Sequence, residues 1–290
     1  MVESIDELRK ICQSIDKKKK SISYSVIFAR KISIYFTKLL LYTNITPNQV
    51  TLLCTIIGMT ASLFFVNGNP WYMIAGALLL ELWYIFDHVD GEVARYRNNT
   101  TLTGVYLDFL SHYIVHPFIF VCISFGIYNI FHDATVFIFG FSAALSTALI
   151  DLTKDCLYKA VMVTYTLPEY EANSLQKPNK NAADTEENEK QTGQTRTSSP
   201  TLYETAQFVI AFFRIPRIIH VILLASLLNL VIPPITVFTF GFNTLYIVLL
   251  MQGIITPIST LGIIFFYVRN KFTEELYYSI YKGEKNTHSP

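Results

Sequence analysis

Residues 87–112, DHVDGEVARYRNNTTLTGVYLDFLSH, decide the fold of this 290-residue chain because they join two long apolar segments. The segments on either side, residues 70–86 and 105–128, are rich in aliphatic and aromatic residues, and each is predicted to cross a membrane as a helix of about 20 residues. Carboxylates at the edge of such a helix are costly and indicate a functional site. Three lie here: Asp87, Asp90 and Asp108.

The composition of the whole chain agrees with a membrane protein. Hydrophobic residues make up 51% and charged residues only 16%, whereas a soluble domain usually has about 25% charged residues. The net charge of +1 excludes a basic nucleic-acid binder. The four cysteines are scattered and favour neither a disulfide framework nor a structural zinc site.

Six segments approach the length and apolarity of a membrane-spanning helix, with short polar or Pro/Gly breaks within each pair. They are residues 49–66, 70–86, 105–128, 134–150, 218–240 and 243–268. The predicted fold class is therefore an all-α polytopic membrane protein with six transmembrane helices, preceded by an N-terminal interfacial amphipathic helix.

The positions of the basic residues predict the orientation. All 23 Lys and Arg residues fall on one side of the six predicted spans, and none falls in the three short connections opposite. The positive-inside rule then places both termini in the cytoplasm. We expect an integral multi-pass protein, located in the plasma (inner) membrane if the source is prokaryotic.

The chain divides into four predicted regions. Residues 1–24 are a cytoplasmic segment, and residues 25–44 mix Lys/Arg with large apolar residues as an interfacial helix does. Residues 45–268 are the six-helix domain, and residues 269–290 are a cytoplasmic tail. Within the domain, residues from about 168 to 202 are polar and are predicted to be a disordered cytoplasmic loop.

The spacing of the acidic residues predicts a cation site. Asp87 and Asp90 are three residues apart and share a helix face, and Asp108 and His112 are four apart and share another. A short turn joins the two helices, so these faces can oppose each other. Converging carboxylates repel unless a cation neutralises them, and hard oxygen ligands favour Mg²⁺, Mn²⁺ or Ca²⁺.

Small residues beside the carboxylates indicate a ligand of some size. Gly91 and Ala94 lie one turn apart and leave room for a group to approach the backbone, while Arg95 can present a guanidinium fork to a phosphate. A cation, an arginine and a groove of small residues together predict a site for a diphosphate-containing nucleotide at the membrane surface.

These residues resemble the CDP-alcohol phosphatidyltransferase family, whose motif is D-x-x-D-G-x-x-A-R-x8-G-x3-D-x3-D. Seven of the eight fixed positions match with every spacing kept. They are Asp87, Asp90, Gly91, Ala94, Arg95, Gly104 and Asp108. The sequence Thr46-Pro47-Asn48, followed by Thr51, is also similar to that family.

The resemblance implies a reaction, a cofactor and an assembly. An alcohol hydroxyl attacks the β-phosphorus of a CDP-alcohol and expels CMP, and the enzyme is usually a homodimer of six-helix chains. Asp87, Asp90 and Asp108 would hold one or two divalent ions, Mg²⁺ or Mn²⁺. The implied nucleotide-binding residues are Asp90, Gly91, Ala94, Arg95 and Gly104.

The eighth motif position, an aspartate in the family, is His112 here. Histidine can serve as the general base, so His112 and Asp108 are the predicted catalytic residues. His112 could instead be a metal ligand that favours a single hard ion or a softer metal. A third reading is lost activity, in a relative that acts as a lipid-binding or assembly subunit.

The donor and the acceptor remain open at this point. The commonest arrangement in the family pairs CDP-diacylglycerol with a small alcohol or sugar phosphate, and the reverse pairs a CDP-linked small alcohol with a lipid acceptor. Lys154, Arg214 and Arg217 could hold an acceptor phosphate, although positive-inside placement alone would also explain them. No nucleic-acid partner is expected.

Other readings of the same residues also remain. The three aspartates could form ion pairs with Arg95 and Arg97 at helix ends. Asp108, His112 and His116 lie in a line on one helix face and could form a transition-metal site. Glu81 and His88 lie on a different face of the second span and are expected to pair with another helix.

Overall fold

The computed structural model describes most of the chain outside one long internal region. The described residues are 2–13, 24–166, 215–232, 234–237, 240–273 and 276. The predicted disordered loop and nearly all of the C-terminal tail lie outside them. The chain divides into two compact units, the first made of residues 1–148 and 211–258 and the second of residues 149–210 and 259–290.

Within the described residues the chain forms eight α-helices and one short antiparallel hairpin. The helices are α1 (Ile5–Cys12), α2 (Tyr24–Leu41), α3 (Pro47–Leu63), α4 (Pro70–Tyr96), α5 (Leu102–Phe131), α6 (Val136–Thr166), α7 (Arg217–Val231) and α8 (Thr244–Arg269). The hairpin pairs β1 (Ile235–Val237) with β2 (Phe240–Phe242), so that Thr236 is opposite Gly241.

Four of these helices, α4, α5, α6 and α8, are long and apolar enough to cross a membrane. Two others coincide with predicted spans but are shorter, with 17 residues in α3 and 15 in α7. At 1.5 Å per residue they are about 26 and 23 Å long, against a hydrocarbon core of about 30 Å. The predicted number of six spans is therefore not confirmed.

The predicted fifth span, residues 218–240, differs most from the structure. Helix α7 ends at Val231, and the chain then turns into the hairpin. Pro233 and Pro234 follow directly in the sequence. A proline disfavours helical geometry in the residue before it and cannot donate a backbone hydrogen bond, so apolar composition alone could not continue this helix.

Helix α4 is the centre of the first unit and packs against α1, α2, α3 and α7. Its side chains Met73, Leu80 and Trp83 are fully buried in the main core. Helix α3 fits closely against α4 and α5 at Gly58, where an added Cβ atom would lie 2.7 Å from Val115 and 2.8 Å from Trp83. This close approach fixes the positions of α3, α4 and α5, which carry the motif residues, relative to one another.

The predicted amphipathic segment forms helix α2, but the face that it buries contains polar residues. Ser33 and Thr37 are fully buried against α4, while Tyr35 and Leu39 are more than half exposed. Several large apolar side chains therefore point away from the protein, while Ala29 and Ile34 are buried with the polar pair. This arrangement suits a helix that faces lipid, and its interfacial position stays a prediction.

The N-terminal segment, expected only as a cytoplasmic stretch, contains helix α1. Ser4 and Glu7 form a reciprocal capping box at its start. Leu8 and Cys12 pack with Ile34 of α2 into a small separate core. The segment is thus anchored to the membrane domain by buried apolar contacts.

Candidate functional site

The structure brings the end of α4 and the beginning of α5 together as the sequence predicts. Asp87 lies on α4, and Asp108 and His112 lie on α5. One possible ligand atom from each of the three lies within 4.8 Å of the others. Two carboxylate oxygens and an imidazole nitrogen at this separation are a donor set that suits a divalent cation such as Mg²⁺ or Mn²⁺.

His112 is the residue that connects the two helices in this cluster. Its Nε2 atom lies 2.7 Å from Oδ1 of Asp87 and 3.9 Å from Oδ1 of Asp108. On its other side the ring stacks on His116 at a centroid distance of 4.9 Å, and His116 in turn contacts the edge of Trp83. The motif position that departs from the family therefore lies inside the acidic cluster.

Asp90 has different partners from Asp87 and Asp108. Its Oδ2 atom accepts a hydrogen bond of 2.6 Å from Thr51 of α3, and its Oδ1 atom accepts one from the backbone N–H of Gly91. Thr51 also donates to the carbonyl of Pro47 at 3.2 Å. Asp87 and Asp108 lie together with His112 in one possible donor set, whereas Asp90 lines the adjacent cavity. That all three aspartates bind a metal ion stays a prediction.

A cavity of about 200 Å³ opens next to the cluster between α3, α4 and α5. Its walls contain every residue predicted to bind the nucleotide. The lining residues are Pro47, Asn48, Thr51, Asp90, Gly91, Ala94, Arg95, Asn99, Thr100, Thr101, Gly104, Val105 and Asp108. The placement agrees with the expectation, and the binding role of these residues stays a prediction.

Small residues keep this cavity open on two sides. A Cβ atom at Gly104 would lie 3.2 Å from the side-chain oxygen of Asn48 and 3.3 Å from that of Thr101. A Cβ atom at Gly91 would lie 3.2 Å from the guanidinium of Arg95, which is one helical turn further along α4. Larger side chains at either glycine would narrow the space that the motif encloses.

The two arginines after the motif aspartates are bound elsewhere. Arg95 donates from Nε to the carbonyl of Cys12 at 2.5 Å, and Arg97 donates to the carbonyls of Ile45 and Thr43. Among the described residues, neither arginine forms an ion pair with the three aspartates. The reading of the aspartates as simple helix-end ion pairs therefore loses its support.

Of the residues proposed for an acceptor phosphate, Lys154 and Arg217 belong to different compact units. Lys154 belongs to the second unit and lies 3.2 Å from Asp151. Arg217 is the first residue of α7, and Arg214 lies outside the described residues. Their role stays a prediction.

Glu81 pairs with another helix, as its position on a separate face of α4 led us to expect. Its carboxylate lies 2.7 Å from Nδ1 of His220 on α7. His88, in contrast, has its contacts on α4 itself: it lies 3.7 Å from Asp87 through Nδ1 and packs against the ring of Tyr84. The partner on α7 could not be identified from the sequence because no motif connects the two residues.

Sequence reasoning missed Glu92, a fully buried carboxylate inside the motif. It also missed the cavity residues Asn99, Thr100 and Thr101, which lie in the turn between α4 and α5. The motif leaves these positions variable, so only their place in the fold identifies them. For Glu92 the available signal was a carboxylate at a variable position inside the motif.

Comparison with known proteins gives one family and one fold. Residues 44–168 match the family model described as CDP-alcohol phosphatidyltransferase. The structure resembles Mycobacterium tuberculosis phosphatidylinositol phosphate synthase with CDP-DAG bound, at 18% sequence identity and a TM-score of 0.53, covering 80% of this chain and 91% of that chain. At this identity the likeness concerns the fold. No curated protein sequence matches the chain.

Proposed function

We propose the reaction of this protein from the premise that residues 44–168 are a CDP-alcohol phosphatidyltransferase domain, which makes the chain an integral membrane phosphotransferase. It moves a substituted phosphate from a CDP-alcohol of the CDP-diacylglycerol type to an alcohol acceptor and releases CMP, in phospholipid or related glycolipid synthesis. The observation that carries this proposal is the cluster of Asp87, Asp108 and His112 at the edge of the motif-lined cavity.

The carboxylates of Asp87 and Asp108, with Asp90 beside them, would hold a divalent cation, Mg²⁺ or Mn²⁺. When bound, such an ion neutralises charge on the diphosphate and on the departing CMP. The residues of the cavity wall bind the cytidine and phosphates: Asp90, Gly91, Ala94, Arg95 and Gly104. The guanidinium of Arg95 offers donors to a phosphate oxygen.

His112 takes the proton of the acceptor hydroxyl as that oxygen forms its bond to the β-phosphorus. The bond from the β-phosphorus to the bridging oxygen breaks, and CMP leaves with the electron pair. The carboxylate of Asp87, 2.7 Å from Nε2, stabilises the protonated ring and holds its orientation. The proton passes to solvent after the new phosphodiester has formed.

The topology of the proposed enzyme follows the distribution of its basic residues. We infer six membrane crossings, with α3 and α7 as the short members, both termini in the cytoplasm and a homodimeric assembly. Cysteines introduced at Asn67 and Thr273 should be labelled from opposite sides of sealed vesicles. Labelling of both from the same side would contradict this orientation, and mass photometry in nanodiscs would test the dimer.

The function is tested with purified protein in nanodiscs and a panel of CDP-alcohols and acceptors. We expect the release of CMP to require Mg²⁺ or Mn²⁺. Its rate should fall at least about 10³-fold in Asp108→Asn, because that change removes one carboxylate from the cluster. Asp133→Asn, in the turn after α5, is the matched control. Turnover unaffected by EDTA and by Asp108→Asn would refute the proposal, and mass spectrometry of the lipid product would show which partner carries the hydrocarbon.

A further inference from the structure

The carboxylate of Glu92 is fully buried and accepts hydrogen bonds from three different side chains. Gln13 donates to Oε1 at 2.7 Å, Ser33 donates to the same oxygen at 2.7 Å, and Thr37 donates to Oε2 at 2.5 Å. These hydrogen bonds compensate for the burial of the carboxylate, and Glu92 is not part of the cluster of Asp87, Asp108 and His112. Glu92 is therefore a structural anchor and not a further metal ligand.

The donors to Glu92 come from two N-terminal elements that precede the family domain. Ser33 and Thr37 lie on α2, whereas Gln13 is the C-cap residue of α1 and also donates to the carbonyl of Arg30 at 2.9 Å. One side chain of the motif helix thus binds both N-terminal helices to the cytoplasmic end of α4. The apolar core of Leu8, Cys12 and Ile34 completes the same contact.

Helix α1 in turn contacts Arg95, which lines the cavity. The carbonyl of Cys12, at the end of α1, accepts a hydrogen bond of 2.5 Å from Nε of Arg95. The carbonyl end of a helix carries partial negative charge and attracts a guanidinium. With Nε held there, the terminal nitrogens of Arg95 lie over Gly91, which also lines the cavity.

We propose that Glu92 is a positioning residue, which through Gln13 and helix α1 holds Arg95 in the orientation that binds the diphosphate of the donor. This inference rests on the proposed function, since it assigns to the N-terminal helix a part in the same nucleotide site. Undocking of α1 removes the acceptor of Arg95 and weakens donor binding without touching the catalytic cluster.

Cys12 offers a direct measure of whether α1 is docked. Its side chain is 1% exposed, and burial raises the pKa of its thiol to about 11. The thiol should therefore react slowly with N-ethylmaleimide at neutral pH, and mass spectrometry can distinguish it from Cys54, Cys122 and Cys156. This readout does not depend on any enzymatic activity.

The sharpest variant is Gln13→Glu, which keeps the shape of the side chain and places a second carboxylate against Glu92. We expect Cys12 to label at least about tenfold faster and the Kd for CDP in the presence of Mg²⁺, measured by calorimetry, to rise roughly tenfold. The exchange Gln13→Glu with Glu92→Gln restores one carboxylate and one amide but not the hydrogen bond from Gln13 to the carbonyl of Arg30, so it should reverse a large part of both changes.

Two further variants separate positioning from general damage to the fold. Asp6→Asn, which exchanges a carboxylate and an amide on the exposed side of α1, should leave both readouts unchanged. In an Arg95→Ala background, Gln13→Glu should still accelerate labelling of Cys12 but should cause no additional loss of CDP affinity, because its effect passes through Arg95.

Several results would overturn the inference. Unchanged Cys12 labelling in Gln13→Glu would show that Glu92 does not hold α1. Faster labelling with unchanged CDP affinity would show that α1 has no effect on Arg95. Wild-type protein that binds no CDP would refute the proposed function itself, an outcome visible without any variant and therefore distinct from the other two.

Discussion

His112 is the residue at which the cluster can be tested most directly. We predict that His112→Gln lowers kcat for CMP release by about 10²- to 10⁴-fold, the usual contribution of a general base, which corresponds to about 3 to 5 kcal/mol in the activation barrier. The KM for the donor should change by less than about threefold, because His112 does not line the cavity that contains the nucleotide residues.

The choice of glutamine follows from the contact with Asp87. His112→Ala would leave this carboxylate with His88, at 3.7 Å, as its remaining ion-pair partner among the described residues. Loss of a hydrogen bond to a charged group costs about 1.5 to 3 kcal/mol of stability. Glutamine can still donate to Asp87 but cannot accept a proton at neutral pH, so it should lose turnover with a smaller decrease in Tm than alanine.

Metal titration separates the two chemical roles of His112. If the imidazole is only a ligand, higher concentrations of Mg²⁺ or Mn²⁺ should restore most of the rate of His112→Gln. If it is the base, saturating metal should leave the rate low, while added imidazole should rescue His112→Ala in part, since the side chain is partly accessible. We expect the second pattern.

The assay is release of CMP by purified protein in nanodiscs, followed by chromatography at saturating metal. Thermal melting of each variant serves as the control for folding. A kcat in His112→Gln close to that of the wild type would refute the assignment of the base. His112→Asp, which restores the family motif, should retain more activity than either of the other variants.

Three other predictions concern the surroundings of the site. Thr51→Val removes the hydrogen-bond donor to Asp90 at 2.6 Å and should raise the KM for the CDP-alcohol roughly tenfold with little change in kcat. The partly exposed Thr153→Val, in α6, is the control and should have no effect. An unchanged KM in Thr51→Val would contradict the role of Asp90 in the cavity wall. Gly58→Ala would place a Cβ atom 2.7 Å from Val115 and should lower the free energy of unfolding by about 1 to 3 kcal/mol. Thermal melting measures this, and an unaltered Tm would show that α3 can move aside. Glu81→Gln weakens the pair with His220 and should decrease Tm, while kcat stays within about threefold of the wild-type value. A large loss of turnover would instead assign this pair to the reaction.

Much of the candidate site could be predicted because its spacing reflects helix geometry. Residues three or four apart share a face, so Asp87 and Asp90 on one helix, and Asp108 and His112 on the next, could be assigned without a structure. The short turn between the helices then limits how far apart the two faces can be. The structure accordingly places Asp87 against His112 and encloses the predicted nucleotide residues in one cavity.

The length and the exposed face of individual helices were harder to predict. Apolar composition extended the fifth predicted span through Pro233 and Pro234, although helix α7 ends at Val231. In α2, a mixture of basic and apolar residues indicated an amphipathic helix, but the buried side proved to be the one with Ser33 and Thr37. A buried glutamate on a neighbouring helix decided this orientation, and no periodicity within α2 contains that information.

The order of charged, small and apolar residues along the chain is sufficient to define a helical membrane protein with an acidic motif at one boundary, since a helix converts spacing into position within a few turns. Contacts between distant segments depend on packing and were decided only by the tertiary structure. They include the pairing of Glu81 with His220, the hydrogen bond from Thr51 to Asp90 and the attachment of α1 to Glu92. The physical reason is that each contact forms only when two helices distant in sequence have the right relative depth and rotation. Close packing between helices, as at Gly58, determines both.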